Sequence, residues 1–257
     1  MNTLVIVETF IAFIIAVTLH EAAHAAMAGL LGDGSSASAG RLSVNPRRQL
    51  ATVGSIVAMT LSFGIPLGGL PVGLGWGKPV EVYTRRLRVG PDTGVFLVAL
   101  AGPVFSLLMG ILFAVILRFM PGYQELTLFS GRCLGAGSLL QTCLSHAQPI
   151  WQLRLEQFLY VLAASNILLA VANLIPLHPL DAYDMLFAVL PNGPAVRFQD
   201  FKPYMELVLL VIFFLIPYLF ALMGLDFLNP GYWLGYLAQA ATSAITGPAY
   251  AQFVYFL

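Results

Sequence analysis

Residues 51–70 read ATVGSIVAMTLSFGIPLGGL, and whether this stretch crosses a bilayer decides how the rest of the chain is threaded. Its length suits a spanning helix, which needs about 20 residues. Its composition does not, because Gly54, Gly64, Pro66, Gly68 and Gly69 make it a poor continuous helix. The flanks are informative. Segment 32–50 carries Arg41, Arg47 and Arg48, and segment 71–93 carries Lys78, Arg85, Arg86 and Arg88, together seven of the 12 basic residues. Lys and Arg concentrate in cytoplasmic loops, so a single crossing would strand one of these basic loops on the wrong side. A re-entrant hairpin keeps both on the cytoplasmic face. Such backbone is tolerated at membrane depth only where protein or a water-filled cavity surrounds it.

Further apolar runs lie on either side, at about 4–31, 94–119, 157–177, 205–224 and 232–256. Of the 257 residues, 59% are hydrophobic and only 9% are charged, against about 25% charged in a soluble domain. So few charges cannot clothe a water-facing surface. The expected fold is an all-α polytopic membrane protein with about five spanning helices, a re-entrant hairpin and short membrane-associated β-strands. The strand candidates are RLSVN (Arg41 to Asn45) and VEVYT (Val80 to Thr84), where apolar and polar residues alternate. Twelve basic residues balance 12 acidic ones, which leaves no electrostatic footprint for nucleic acid. Cys133 and Cys143 fall in a predicted outer loop, free to pair or to remain thiols. Nothing in the sequence sets the oligomeric state.

The chemistry is concentrated in His20-Glu21-Ala22-Ala23-His24, inside the first apolar run. Residues four apart share a helix face, so the two imidazoles can hold one metal ion while Glu21 reaches a water on it. Three ionisable side chains in an apolar run are costly and usually mark a functional site. A catalytic zinc takes three protein ligands and leaves a position open for water. Cys133, Cys143 and His146 sit in a loop, which leaves Asp181 as the best third ligand. Pro176 and Pro179 should break the helix just before it and let the carboxylate turn inward. Asn173 is either a buried amide bonded to a neighbouring helix or a group aimed at substrate. Topology tests the Asp181 assignment separately. If 51–70 is re-entrant, 94–119 runs outward, 157–177 runs inward, and Asp181 arrives on the side of His20 and His24; if 51–70 spans, Asp181 lies across the bilayer. A membrane metal-binding or transport protein using the same histidines is the alternative reading.

With these residues in view, the chain resembles the site-2 proteases, intramembrane zinc metalloproteases. The resemblance runs through most of 15–185: His20 to His24, Gly32-Asp33, Gly40-Arg41-Leu42 with Asn45-Pro46, Gly75-Trp76 with Lys78-Pro79-Val80, Ala101-Gly102-Pro103, and Asn173 through Asp181. It implies that Asp181 is the third zinc ligand, that Asn173 sits near the reacting carbonyl, and that the substrate is a transmembrane protein cleaved in or near its spanning segment. The basic loop after the first run separately places the histidines, and with them the active site, towards the cytoplasmic side of the cell membrane. The departures are Ala182 for the motif glycine, Ser106 where Asn often follows the A-G-P, Gln49 where His is common after the N-P, and His178 for a usual proline. The expected organisation is one transmembrane protease domain, 1–257, with a catalytic core at about 4–185 and added helices at about 204–257.

Overall fold

The computed structural model describes residues 3–35, 40, 42, 43, 45, 48, 77, 82–120, 150–225, 228 and 230–247. The proposed hairpin at 51–70, Gln49 and the loop holding Cys133 and Cys143 lie outside them. Helices dominate: α1 (Thr3–Leu30), α2 (Pro91–Arg118), α3 (Ile150–Ala172), α4 (Asp181–Val189), α5 (Asn192–Asp200), α6 (Lys202–Leu210), a π-helical turn (Val211–Leu215), α7 (Ile216–Leu222) and α8 (Pro230–Thr246). Among the described residues four helical stretches are long and apolar enough to cross a membrane: Val7–Leu30, Pro91–Arg118, Leu155–Ala172 and Lys202–Phe220. The protein is therefore an integral membrane protein. The last expected run yields α8, at 17 residues shorter than any of these four.

Of the two strand candidates, Arg41, Val44, Val80 and Glu81 lie outside the described residues, and the remainder does not support strands. Beyond an isolated bridge at Gly77, the described residues form no sheet, and Thr84 opens a 3-10 turn (Thr84–Arg86) instead of ending a strand. The reason is local: Arg86 N–H returns to Tyr83 O at 2.9 Å and Leu87 N–H to Thr84 O at 3.2 Å, so turn bonds replace ladder bonds.

Helix α2 lies at the centre, packed against α1, α3, α4 and α8. Its buried side is a row of small residues four apart, Gly102, Ser106, Gly110 and Ala114, while Val104, Leu107, Leu108, Ile111 and Leu112 are exposed. This inverts the pattern of a soluble helix. In lipid, apolar side chains gain nothing by leaving the hydrocarbon, and close backbone approach at small residues holds helices together. A Cβ at Gly110 would stand 2.6 Å from Ile167 Cγ1 and 3.1 Å from the Ala163 carbonyl, so α3 packs directly on the α2 backbone. Two apolar clusters complete the core. Phe13, Ala16 and Val17 meet Leu169 between α1 and α3; Ile167, Leu168, Ala172, Leu180, Leu209, Phe213 and Ala238 join α3 to α6, the π turn and α8.

The ends of the connection between α1 and α2 meet. Arg88 N–H donates to Leu31 O at 2.9 Å, so the chain leaves α1 and enters α2 at one end of the bundle. Helix α3 then returns to that same end, which carries its C-terminus to the α1 histidines.

Candidate metal centre

On α1, His20 and His24 share one face and are buried, and α2 holds both rings from behind. His24 Nδ1–H donates to the Val98 carbonyl at 2.7 Å, and because a carbonyl only accepts, this bond fixes the tautomer. His20 Nδ1 lies 2.9 Å from the Ser106 hydroxyl, which can serve either tautomer and orients the ring. Gly102 lies between these two anchors, where any Cβ would fall on both imidazoles. Glycine is required there by close approach, not by a turn.

The third group comes from the turn between α3 and α4. Pro176 cannot continue a helix, and α3 ends at Ala172, as the prolines predict. The Asn173 side chain then bridges the break. Its Nδ2 donates to Leu169 O at 2.9 Å, its Oδ1 accepts the Asp181 N–H at 3.4 Å, and its carbonyl accepts the Ala182 N–H at 2.9 Å. Asp181 opens α4 and turns inward: Oδ2 lies 2.9 Å from His20 Nε2 and Oδ1 lies 3.1 Å from His24 Nε2.

The donor set fits a small cation. The two Nε2 atoms stand 3.1 Å apart. With the His24 Nδ1–H spent on Val98 and His20 Nδ1 bonded to the Ser106 hydroxyl, both Nε2 atoms are free to turn lone pairs towards an ion beside the carboxylate. Ligand atoms about 2.0–2.1 Å from a tetrahedral ion are separated by about 3.3 Å, close to the spacings seen. The Nδ1 bonds to Ser106 and Val98 are the outer support that ligating histidines normally carry.

A cavity of about 440 Å³ opens onto this cluster. Glu21 and Asn173 line it with His20, His24 and Asp181, so the five residues singled out from the sequence share one space. The backbone at Gly77 passes so close to Glu21 that a Cβ there would fall on the carboxylate. Val82 and Thr84, from the stretch the sequence offered as a strand, also line the cavity, while sequence reasoning did not find Pro91, Asp92 and Val95 or the acidic Asp184 one turn beyond Asp181. It also read Ser106 as a departure, not as a partner of His20. His178 points away from the centre, with Nδ1 3.5 Å from Glu206 Oε1 on α6. Ala182 is buried, and its N–H closes the turn on Asn173, a role that needs no glycine.

Comparison with known proteins adds three findings. The sequence profile of peptidase family M50 matches residues 8–216. A curated protein of Bacillus subtilis (strain 168), named "Putative zinc metalloprotease YwhC", is 29% identical over 205 residues, covering 79% of this chain and 78% of its own. No solved structure matches the chain significantly.

Proposed function

The chain belongs to peptidase family M50 and is an intramembrane zinc metalloprotease, and on that premise we propose how its own residues divide the work. His20, His24 and Asp181 hold the zinc, Glu21 is the general base, and Asn173 is the polar group beside the reacting carbonyl. The observation that carries this is the convergence of two imidazole Nε2 atoms and a carboxylate from helices far apart in sequence, with Glu21 lining the same cavity. When bound, zinc supplies Lewis acidity that activates a water and polarises a carbonyl. Glu21 takes the proton of the attacking water and returns it to the leaving amine. Asn173 spends one amide hydrogen on Leu169 O, and its second is available to the developing oxyanion.

The substrate is a transmembrane protein cut in or near its spanning segment. A helix hides its carbonyls in its own hydrogen bonds, so the scissile region unwinds before attack. The active site faces the cytoplasmic side of the cell membrane, as the basic residues around 51–70 require. Residues 1–257 then act as one transmembrane domain, with the core at about 4–185 and the helices at about 204–257 added around it.

The decisive experiment is Glu21→Gln in the purified full chain, with zinc content and peptide cleavage measured together. Zinc should stay and cleavage should fall by about 10²- to 10⁴-fold, the range for a lost general base. Retained cleavage would remove Glu21 from the chemistry.

A further inference from the structure

Asp33, three residues beyond α1, is fully buried, and none of the chemistry above uses it. Its carboxylate is saturated with donors. Oδ1 accepts the Ser35 hydroxyl at 2.6 Å and the Ser35 N–H at 3.1 Å, Oδ2 accepts the Tyr83 N–H at 2.7 Å, and Arg86 Nη1 stands 3.7 Å from Oδ1. Next to it, Gly32 has φ 113°, and a Cβ there would lie 2.9 Å from the Arg86 carbonyl oxygen. With the Leu31–Arg88 backbone bond, these contacts stitch the chain just past α1 to the chain just before α2.

On the far side of this stitch is the cavity. Val82 and Thr84 line it, while Tyr83 between them does not and is largely exposed. Tyr83 is extended, with φ −84° and ψ 91°, and successive residues of an extended chain face opposite ways. With Tyr83 held by Asp33, Val82 and Thr84 on either side of it line the cavity.

We propose that Asp33 is a positioning residue for substrate: by accepting the Tyr83 N–H it fixes Val82 and the head of the 3-10 turn at Thr84 as a wall against which the unwound substrate segment lies. A carboxylate is required and not an amide, because both oxygens accept and an amide would set its NH₂ against one of the donors. The proposal rests on the protease reading of the site, and its test separates the two.

The test compares Asp33→Asn with wild type in the full-length, zinc-loaded chain, using a synthetic single-span hydrophobic peptide with a fluorophore and quencher. Expected are unchanged zinc content, kcat within about twofold and KM raised about tenfold, the loss of one charge-assisted hydrogen bond. Amide exchange at Tyr83 should rise in parallel. Unchanged KM, or a loss confined to kcat and zinc, would overturn the proposal. Should Asp33→Asn fail to fold, Tyr83→Pro removes the ring and the donated N–H at a φ that proline accepts, and Tyr83→Ala removes the ring alone and keeps the N–H. Proline should reproduce the KM effect and alanine should not; equal effects refute the assignment. If wild type does not cleave the peptide, the protease reading fails on its own, while Tyr83 exchange in Asp33→Asn still decides the stitch: a rise upholds it and no change rejects it.

Discussion

Asp33 and Asp181 are two inward-turned carboxylates at the same end of the bundle, and their surroundings are opposite. Asp33 faces only donors, two from Ser35 and one from Tyr83, with a guanidinium beyond. An anion so placed is stable with no further partner. Asp181 faces two ring nitrogens, and behind them the opposite nitrogens of the rings are engaged by the Val98 carbonyl and the Ser106 hydroxyl. Acceptors converging on acceptors need a cation between them. What distinguishes a structural carboxylate from a metal ligand is thus the supply of donors around it, since both are the same residue type in the same region.

The largest effect should come from breaking the cation site. Asp181→Ala removes a proposed ligand, and zinc affinity should fall by more than about 100-fold, beyond what loss of an outer partner costs. Asp33→Asn should leave zinc content intact. Equal zinc loss in the two variants, measured by metal analysis after dialysis, would erase the distinction.

Substitutions at Gly102 and Ser106 on α2 probe how the imidazoles are held, with Gly110 on the same helix as the control. Gly102→Ala drives a methyl group into both rings, and a displacement near 1 Å should cost activity about 100-fold. Gly110→Ala, on the same helix but against Ile167, should lower thermal stability and leave zinc bound; zinc loss there would mean that the two glycines are not separable. Ser106→Ala is milder. It removes only the hydroxyl partner of His20 Nδ1 and should weaken zinc by about 10- to 100-fold, with Ser106→Asn restoring most of it.

The parts of this picture legible in the sequence are those encoded by short-range periodicity. Residues i and i+4 on one helix gave His20 and His24, prolines before Asp181 gave a broken helix, and basic flanks around 51–70 placed Asp181 on the histidine side. Ser106 was not legible as a partner, because it reaches His20 across 86 residues of chain. One signal was available and unread: Gly94, Val98, Gly102, Ser106, Gly110 and Ala114 recur every four residues, which marks the packed side of α2. Asp33 looked like any loop aspartate, since its Tyr83 partner lies 50 residues away. The strand expectation failed at Thr84 because five alternating residues are too few to outweigh a 3-10 turn.

The smallest predicted effect is an absence, and it follows from the sign of one titration. Burial alone would raise the Asp33 carboxyl, but the Ser35 hydroxyl, the Tyr83 N–H, the Ser35 N–H and Arg86 together hold it below the ordinary value of 3.8. A carboxyl depressed in the folded state contributes stability that is fully present above its unfolded pKa and is lost only as pH falls through the folded value. The Asp33 stitch should therefore be indifferent to acidification from pH 8 to pH 5, well above about 3.9 for a free aspartate. The measurement is the protection factor of the Tyr83 amide, which corrects for the pH dependence of exchange itself. Constant protection across that window fits a donor-saturated anion. Protection that decays between pH 7 and pH 5 would mean that burial outweighs the donors, and Asp33 would then resemble the carboxylate at the metal centre in needing a cation to stay charged.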